Sequence, residues 1–134
     1  MRTFLDTNVL AAAFATRGFC SNLFQQVLES HELVSSLGIL AELERILRKK
    51  FKIPASQIEE ILAFLRSNSR LSEPHEKKPY RITDPDDMPH LSAAENAQCD
   101  VFVTGDKELH ALNPIGAMQV LSPRDFWEML SERP

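Results

Sequence analysis

The sequence predicts an α/β domain, a mostly parallel sheet covered by helices on both faces. Three observations predict it. Short apolar runs alternate with segments of helical periodicity along most of the chain. Alternating strands and helices imply right-handed crossovers, which place successive strands parallel. A length of 134 residues suits one domain, able to bury roughly two thirds of the surface its unfolded form exposes. Residues 1–134 are therefore read as a single domain, without an internal repeat or a low-complexity tract.

In chain order, "RTFL" reads as a strand and "VLAAAFA" as the helix that follows it. "ELVSS" precedes "LGILAELERILRKKF", where Leu37, Leu40, Leu43 and Leu47 recur at helical spacing. Ile58, Ile61, Leu62 and Leu65 mark a further helix by the same rule. Residues 68–87, "NSRLSEPHEKKPYRITDPDD", mix prolines with charges and read as a loop or crossing connection. "HLSAAENA" reads as a helix, "CDVFVTG" as a strand before the helical "DKELHAL", and "AMQVL" as a strand before "SPRDFWEML". Ser122 and Pro123 supply the cap and first-turn proline of that last helix.

Composition excludes several classes. No apolar stretch approaches the ~20 residues of a membrane helix, and "MRTFLDT" has neither the apolar core nor the cleavage site of a signal peptide, so the expected location is the cytoplasm. Cys20 and Cys99 sit in no metal-binding spacing and read as reduced, buried thiols. The net charge of -4 argues against a plain nucleic-acid coat. It leaves room for an enzyme whose metal ions supply the positive charge.

Acids at strand ends are the candidates for chemistry, because ligands of open α/β sheets bind beyond the carboxyl ends of the strands. Asp6 follows the first strand and Asp106 follows "VFVTG". Asp84, Asp86 or Asp87 of "DPDD" stands before a helix, aimed at the same edge. Glu42 and Glu44 lie on opposite borders of one apolar stripe, and the helical wheel does not choose between them. Each acid taken singly is explained as a helix cap, a turn or a solvated face. Together at one edge they would repel one another unless a cation neutralised them. Oxygen donors without a His or Cys cluster suit Mg²⁺ or Mn²⁺, and such ions can activate water against a phosphodiester.

"FLDTNVL", "ILAELERILRKKF", "DPDDMPHLSAAENAQCDVFVTGDKEL" and "VLSPRDFWEML" together resemble the PIN-domain proteins, in particular the toxin components of toxin–antitoxin pairs. The resemblance covers nearly the whole chain. It implies a three-layer α/β/α fold whose central, mostly parallel sheet has four to five strands, and a metal-dependent ribonuclease active on RNA. Its acidic motif falls on Asp6, Glu42, Asp87 and Asp106, the implied catalytic and Mg²⁺- or Mn²⁺-binding set, with Asp84 supporting the site or the turn. Met88 and Pro89 depart from the polar residues common there, which bears on the aim of Asp87. Asn8 and Thr104 are read either as hydrogen-bond partners of the acids or the phosphate, or as turn residues. A cognate antitoxin and a homodimer are the implied partners.

The basic run Arg45, Arg48, Lys49, Lys50 and Lys52, and Lys77, Lys78 and Arg81, are candidate RNA contacts that a solvated surface also explains; Lys107 is the first such cation to test. His31, His75, His90 and His110 form no spaced metal motif; an approach of His90 and His110 to the acidic edge is weighed against the packed or surface histidine, and the latter is preferred. Phe126, Trp127 and Leu130 are expected to pack on the sheet. Among other functions, a haloacid-dehalogenase-like phosphatase would need a second acid two residues after Asp6, where Asn8 stands. A catalytically silent PIN-like module that binds RNA or protein is the alternative.

Overall fold

The computed structural model of the chain describes residues 1–74 and 87–132. Its elements follow in the order β1 (Arg2–Leu5), α1 (Thr7–Ala15), α2 (Phe19–Ser30), β2 (Glu32–Ser35), α3 (Leu37–Lys49), α4 (Ala55–Asn68), β3 (Arg70–Leu71), α5 (Met88–Asn96), β4 (Val101–Val103), α6 (Lys107–His110), β5 (Gln119–Leu121) and α7 (Pro123–Ser131). The five strands form one sheet in the order β3-β2-β1-β4-β5, and every pairing is parallel. This is the three-layer α/β/α architecture expected. From β1 the chain crosses outward to β2 and β3, then back to β4 and onward to β5. Right-handed connections running in opposite directions put their helices on opposite faces.

The core is that of a sheet buried on both sides. Phe4 and Phe102 on neighbouring strands stack with ring centroids 5.2 Å apart. Leu5, Val34, Val101, Val103 and Val120 are buried around them. Phe126 is fully buried, and Trp127 and Leu130 pack partly buried against the same core. Ser122 Oγ accepts the Asp125 N–H at 3.0 Å, capping α7 as its sequence predicts.

Three details differ from expectation. Helix α2 has no counterpart in the strand–helix pairs read from sequence; its Leu23, Phe24 and Val27 are buried. The short β3 opens the segment read as a connection. In α3 the buried stripe is Ile39, Leu40, Leu43 and Leu47, whereas Leu37 is 54% exposed. Leu37 begins the helix, and the cap Ser36, whose Oγ accepts the Ile39 N–H at 3.1 Å, turns that first residue outward. Among the described residues no helix is long and apolar enough to cross a membrane.

Candidate active site

The strand order changes direction beside β1, where β2 and β4 flank it on either side. Asp6 leaves the end of β1 there, and its N–H donates to the Val103 carbonyl at the end of β4, at 2.9 Å. A pocket of about 500 Å³ opens at this edge, lined by Asp6, Asn8, Glu42, Asp87, Thr104, Gly105 and Asp106. Acids from β1, α3, the start of α5 and the end of β4 thus meet in one place.

Asp6 is both cap and wall. Its Oδ1 accepts the Thr7 N–H at 2.8 Å, starting α1. Its Oδ2 accepts the Thr104 hydroxyl at 2.7 Å, and that hydroxyl oxygen accepts the Asp106 N–H at 3.1 Å. Thr104, fully buried, therefore ties the first acid to the backbone of the last. Asp106 is exposed and caps α6 through the Glu108 N–H at 2.9 Å. The cap explanation of these two acids holds, and capping consumes one oxygen of each.

Glu42 and Glu44 separate clearly. Glu42 lines the pocket, while Glu44 pairs with Arg48 at 3.5 Å along the helix. Asp87 stands at the start of α5 with Pro89 in the first turn, where proline is tolerated, and it too lines the pocket. Asn8, exposed on α1, completes the wall. Asp84 and Asp86 lie outside the described residues, as do His75, Lys77, Lys78 and Arg81.

His90 belongs to this site more closely than its sequence reading suggests. The residue is packed, as expected, with 4% of its surface exposed. Its Nε2 also lies 2.9 Å from Glu42 Oε2. The signal in the sequence was its spacing: three residues after Asp87 on a helix, it lies over the same face. His110 is less directly involved, with Nε2 donating to the Thr104 carbonyl.

The electrostatics follow from this geometry. Burial lifts the Asp6 carboxyl above its ordinary value; hydrogen bonds from Thr104 and Thr7 and the charge of His90 oppose the rise, and Glu42 adds to it. Glu42 is held below its ordinary value, first by its hydrogen bond with His90, with the charge of Arg45 helping. Burial alone would lower the His90 imidazole, but the bond to Glu42 and the charges of Glu42, Asp6 and Asp87 raise it instead.

Carboxylate oxygens in an open, water-accessible pocket are the donors that a hard divalent cation takes. Among the described residues, no group of three or more His, Cys, Asp and Glu side chains is drawn together tightly enough to hold an ion. Mg²⁺ keeps several of its waters and commonly takes one or two carboxylates directly. The donor set therefore fits an ion held in part through water, and it does not form a closed protein cage.

The comparisons with known proteins agree with the fold. A chain in the crystal structure of VapBC2 from Rickettsia felis bound to a DNA fragment from their promoter superposes with a TM-score of 0.61, at 15% identity, covering 91% of this chain and 98% of that one. No curated protein sequence matches significantly. The PIN domain family model matches residues 2–108, a span that includes Asp6, Glu42, Asp87 and Asp106. By that match the chain belongs to the PIN-domain family.

Proposed function

We propose that this protein is a Mg²⁺- or Mn²⁺-dependent endoribonuclease that hydrolyses RNA phosphodiester bonds, and that it is the toxin of a toxin–antitoxin pair. The observation that carries the proposal is the pocket itself, where Asp6, Glu42, Asp87 and Asp106 converge from four parts of the chain. The buried Asp6, its carboxyl pushed upward chiefly by burial, is a perturbed acid on the pocket wall, the kind of group that clusters at functional sites.

Asp6 and Asp106 would hold the main ion, with Glu42 and Asp87 completing its surroundings directly or through water. A bound divalent cation supplies the positive charge that draws in a phosphodiester, lowers the pKa of water and stabilises the leaving oxygen. Thr104 keeps Asp6 aimed by donating to its Oδ2, in the way hydrogen-bond partners of metal ligands fix ligand orientation. Asn8 offers an amide to the phosphate from the pocket wall, and Lys107, exposed next to Asp106, offers a charge to the RNA backbone.

The similar Rickettsia felis chain comes from a VapBC2 assembly bound to promoter DNA, which supports an antitoxin partner here too. Such a partner would act by closing the acidic pocket with a cationic side chain. The cytoplasm, where RNA is the available substrate, is the proposed location, and self-association into a homodimer is measurable by light scattering.

A second reading is favoured by one observation, the lack of a ready three-ligand cluster among the described residues: a PIN-like module that binds RNA or protein without turnover. Calorimetric titration with Mn²⁺, followed by an RNA cleavage assay on the same sample, separates the two. The nuclease binds the ion and cuts RNA, and EDTA abolishes cutting. Metal uptake with RNA left intact identifies the silent module.

A further inference from the structure

We infer that His90 is a positioning residue of this site: from α5 it holds the carboxylate of Glu42, on α3, through one hydrogen bond. The inference rests on the nuclease reading above and assigns the part that this side chain plays in it.

Helix α3 is anchored by its buried stripe, but that anchor does not extend to the Glu42 carboxylate. The side chain is 29% exposed and carries two methylenes of rotamer freedom, so its head group is placed by neighbours outside the α3 core stripe, His90 first and then Thr7 and Arg45. His90 has the opposite character. Its side chain is 5% exposed, it has two rotatable bonds, and Cε1 lies where a Cβ on Gly38 would meet it at 3.7 Å. A rigid buried ring thus presents Nε2 to Oε2 at 2.9 Å. A carboxylate only accepts, so the proton of this bond is on Nε2.

The other ring nitrogen strengthens the inference. Nδ1 is buried and has no hydrogen-bond partner among the described residues. A buried polar atom without a partner is unfavourable, so a residue retained for packing alone would be better apolar. The ring carries an unmet nitrogen in exchange for its bond to Glu42. That bond engages Oε2, which leaves Oε1 as the oxygen not held by His90. It also links the helix that starts at Asp87 to the helix that bears Glu42, two parts of the acidic wall contributed by distant segments.

Two substitutions separate positioning from packing. His90→Leu fills the core without a donor; His90→Gln restores an N–H at similar reach. Mn²⁺ affinity by calorimetry and Tm are measured for each. The imidazole ¹H–¹⁵N spectrum of the metal-free protein is recorded with and without Glu42→Ala. Positioning predicts that His90→Leu weakens Mn²⁺ binding about 10–100-fold at a Tm no lower than that of the parent, and that His90→Gln recovers to within about threefold. It also predicts that the His90 Nε2–H resonance moves in Glu42→Ala.

Equal Mn²⁺ affinity in all three proteins, or equal weakening in both variants, overturns the inference. An Nε2–H resonance indifferent to Glu42→Ala overturns it as well. Should His90→Leu fail to fold, His90→Gln and the spectrum decide by the same criteria. A parent protein that takes up no Mn²⁺ and cuts no RNA refutes the nuclease reading, and the metal-free spectrum still reports separately whether His90 holds Glu42.

Discussion

At the scale of single residues, Asp6 does two jobs with opposite thermodynamic signs. As a cap it stabilises α1, since it accepts the Thr7 N–H. As a buried charge it is unfavourable, which the upward displacement of its carboxyl records. The folded protein binds this proton more tightly than the unfolded chain, whose value is 3.8. Its contribution to stability is therefore intact below that unfolded value and is lost as pH rises through the higher folded one. Asp6→Asn keeps the cap, because asparagine caps as well as aspartate, and removes the titration. The Tm of the metal-free variant should exceed that of the parent by a few degrees near about pH 7, the gap narrowing as the pH falls through the raised folded value and closing below the unfolded 3.8. RNA cleavage by the same variant should fall by more than about 100-fold, since it loses a proposed ligand itself and not merely a ligand's partner. Thr104→Val removes the donor to Asp6 Oδ2 while keeping the volume. It should lift the Asp6 carboxyl further and lower cleavage about 10–100-fold, with the acceptor of the Asp106 N–H lost as well.

At the scale of elements, α3 shows how a helix converts core packing into site geometry. Leu43 is fully buried, and its neighbour Glu42 is carried to the pocket by the face that Leu43 fixes. Leu43→Ala should destabilise the protein by ~2–5 kcal/mol in urea-unfolding experiments, whereas Leu37→Ser, at a residue 54% exposed, should stay within about 0.5 kcal/mol of the parent. On the polar side, Glu42→Gln should lower cleavage at least about tenfold and Glu44→Gln should leave it unchanged, because Glu44 faces Arg48 along the helix. The helical spacing of α3 was legible in the sequence, and so was the Ser122 cap of α7. The choice between Glu42 and Glu44 was not legible from the wheel: both border the stripe, and only the elements packed against α3 decide which border faces the pocket. The motif resemblance had to supply it. Leu37 misled for a related reason, since a periodic apolar residue at a helix start is buried only if something lies over that first turn. Strand β3, two residues long, carries too little pattern to stand out from a charged, proline-containing stretch. His90 was not read as a site residue, although its spacing from Asp87 was a signal: a histidine that packs and one that holds a carboxylate have the same letter.

At the scale of the whole molecule, the site exists because the strand order reverses beside β1. Alternation of strands and helices foretold a parallel sheet with acids at one edge; it contained no information on which strands are neighbours. That order results from packing among all the elements, and it brings the end of β4 beside the end of β1, so that Thr104 reaches Asp6 across 98 residues of chain. On the proposed function, a net charge of -4 and a pocket walled by four acids should make the fold's stability depend on divalent cations. Binding of an ion to the folded state alone stabilises by RT ln(1 + [L]/Kd), about 2.7 kcal/mol at a hundredfold excess over Kd. Neutralising Asp6 should thus act in opposite directions under two conditions. Without divalent ions Asp6→Asn is the more thermostable protein, because the buried charge is gone. With Mn²⁺ at a hundredfold over the parent's Kd, the parent gains the linkage term and the variant gains little, so the order of the two Tm values should reverse. Differential scanning calorimetry on both proteins, with EDTA and with Mn²⁺, measures this directly. A variant that remains the more stable of the pair at saturating Mn²⁺ would show that the pocket does not use Asp6 to hold the ion, and would remove the physical basis for placing the chemistry there.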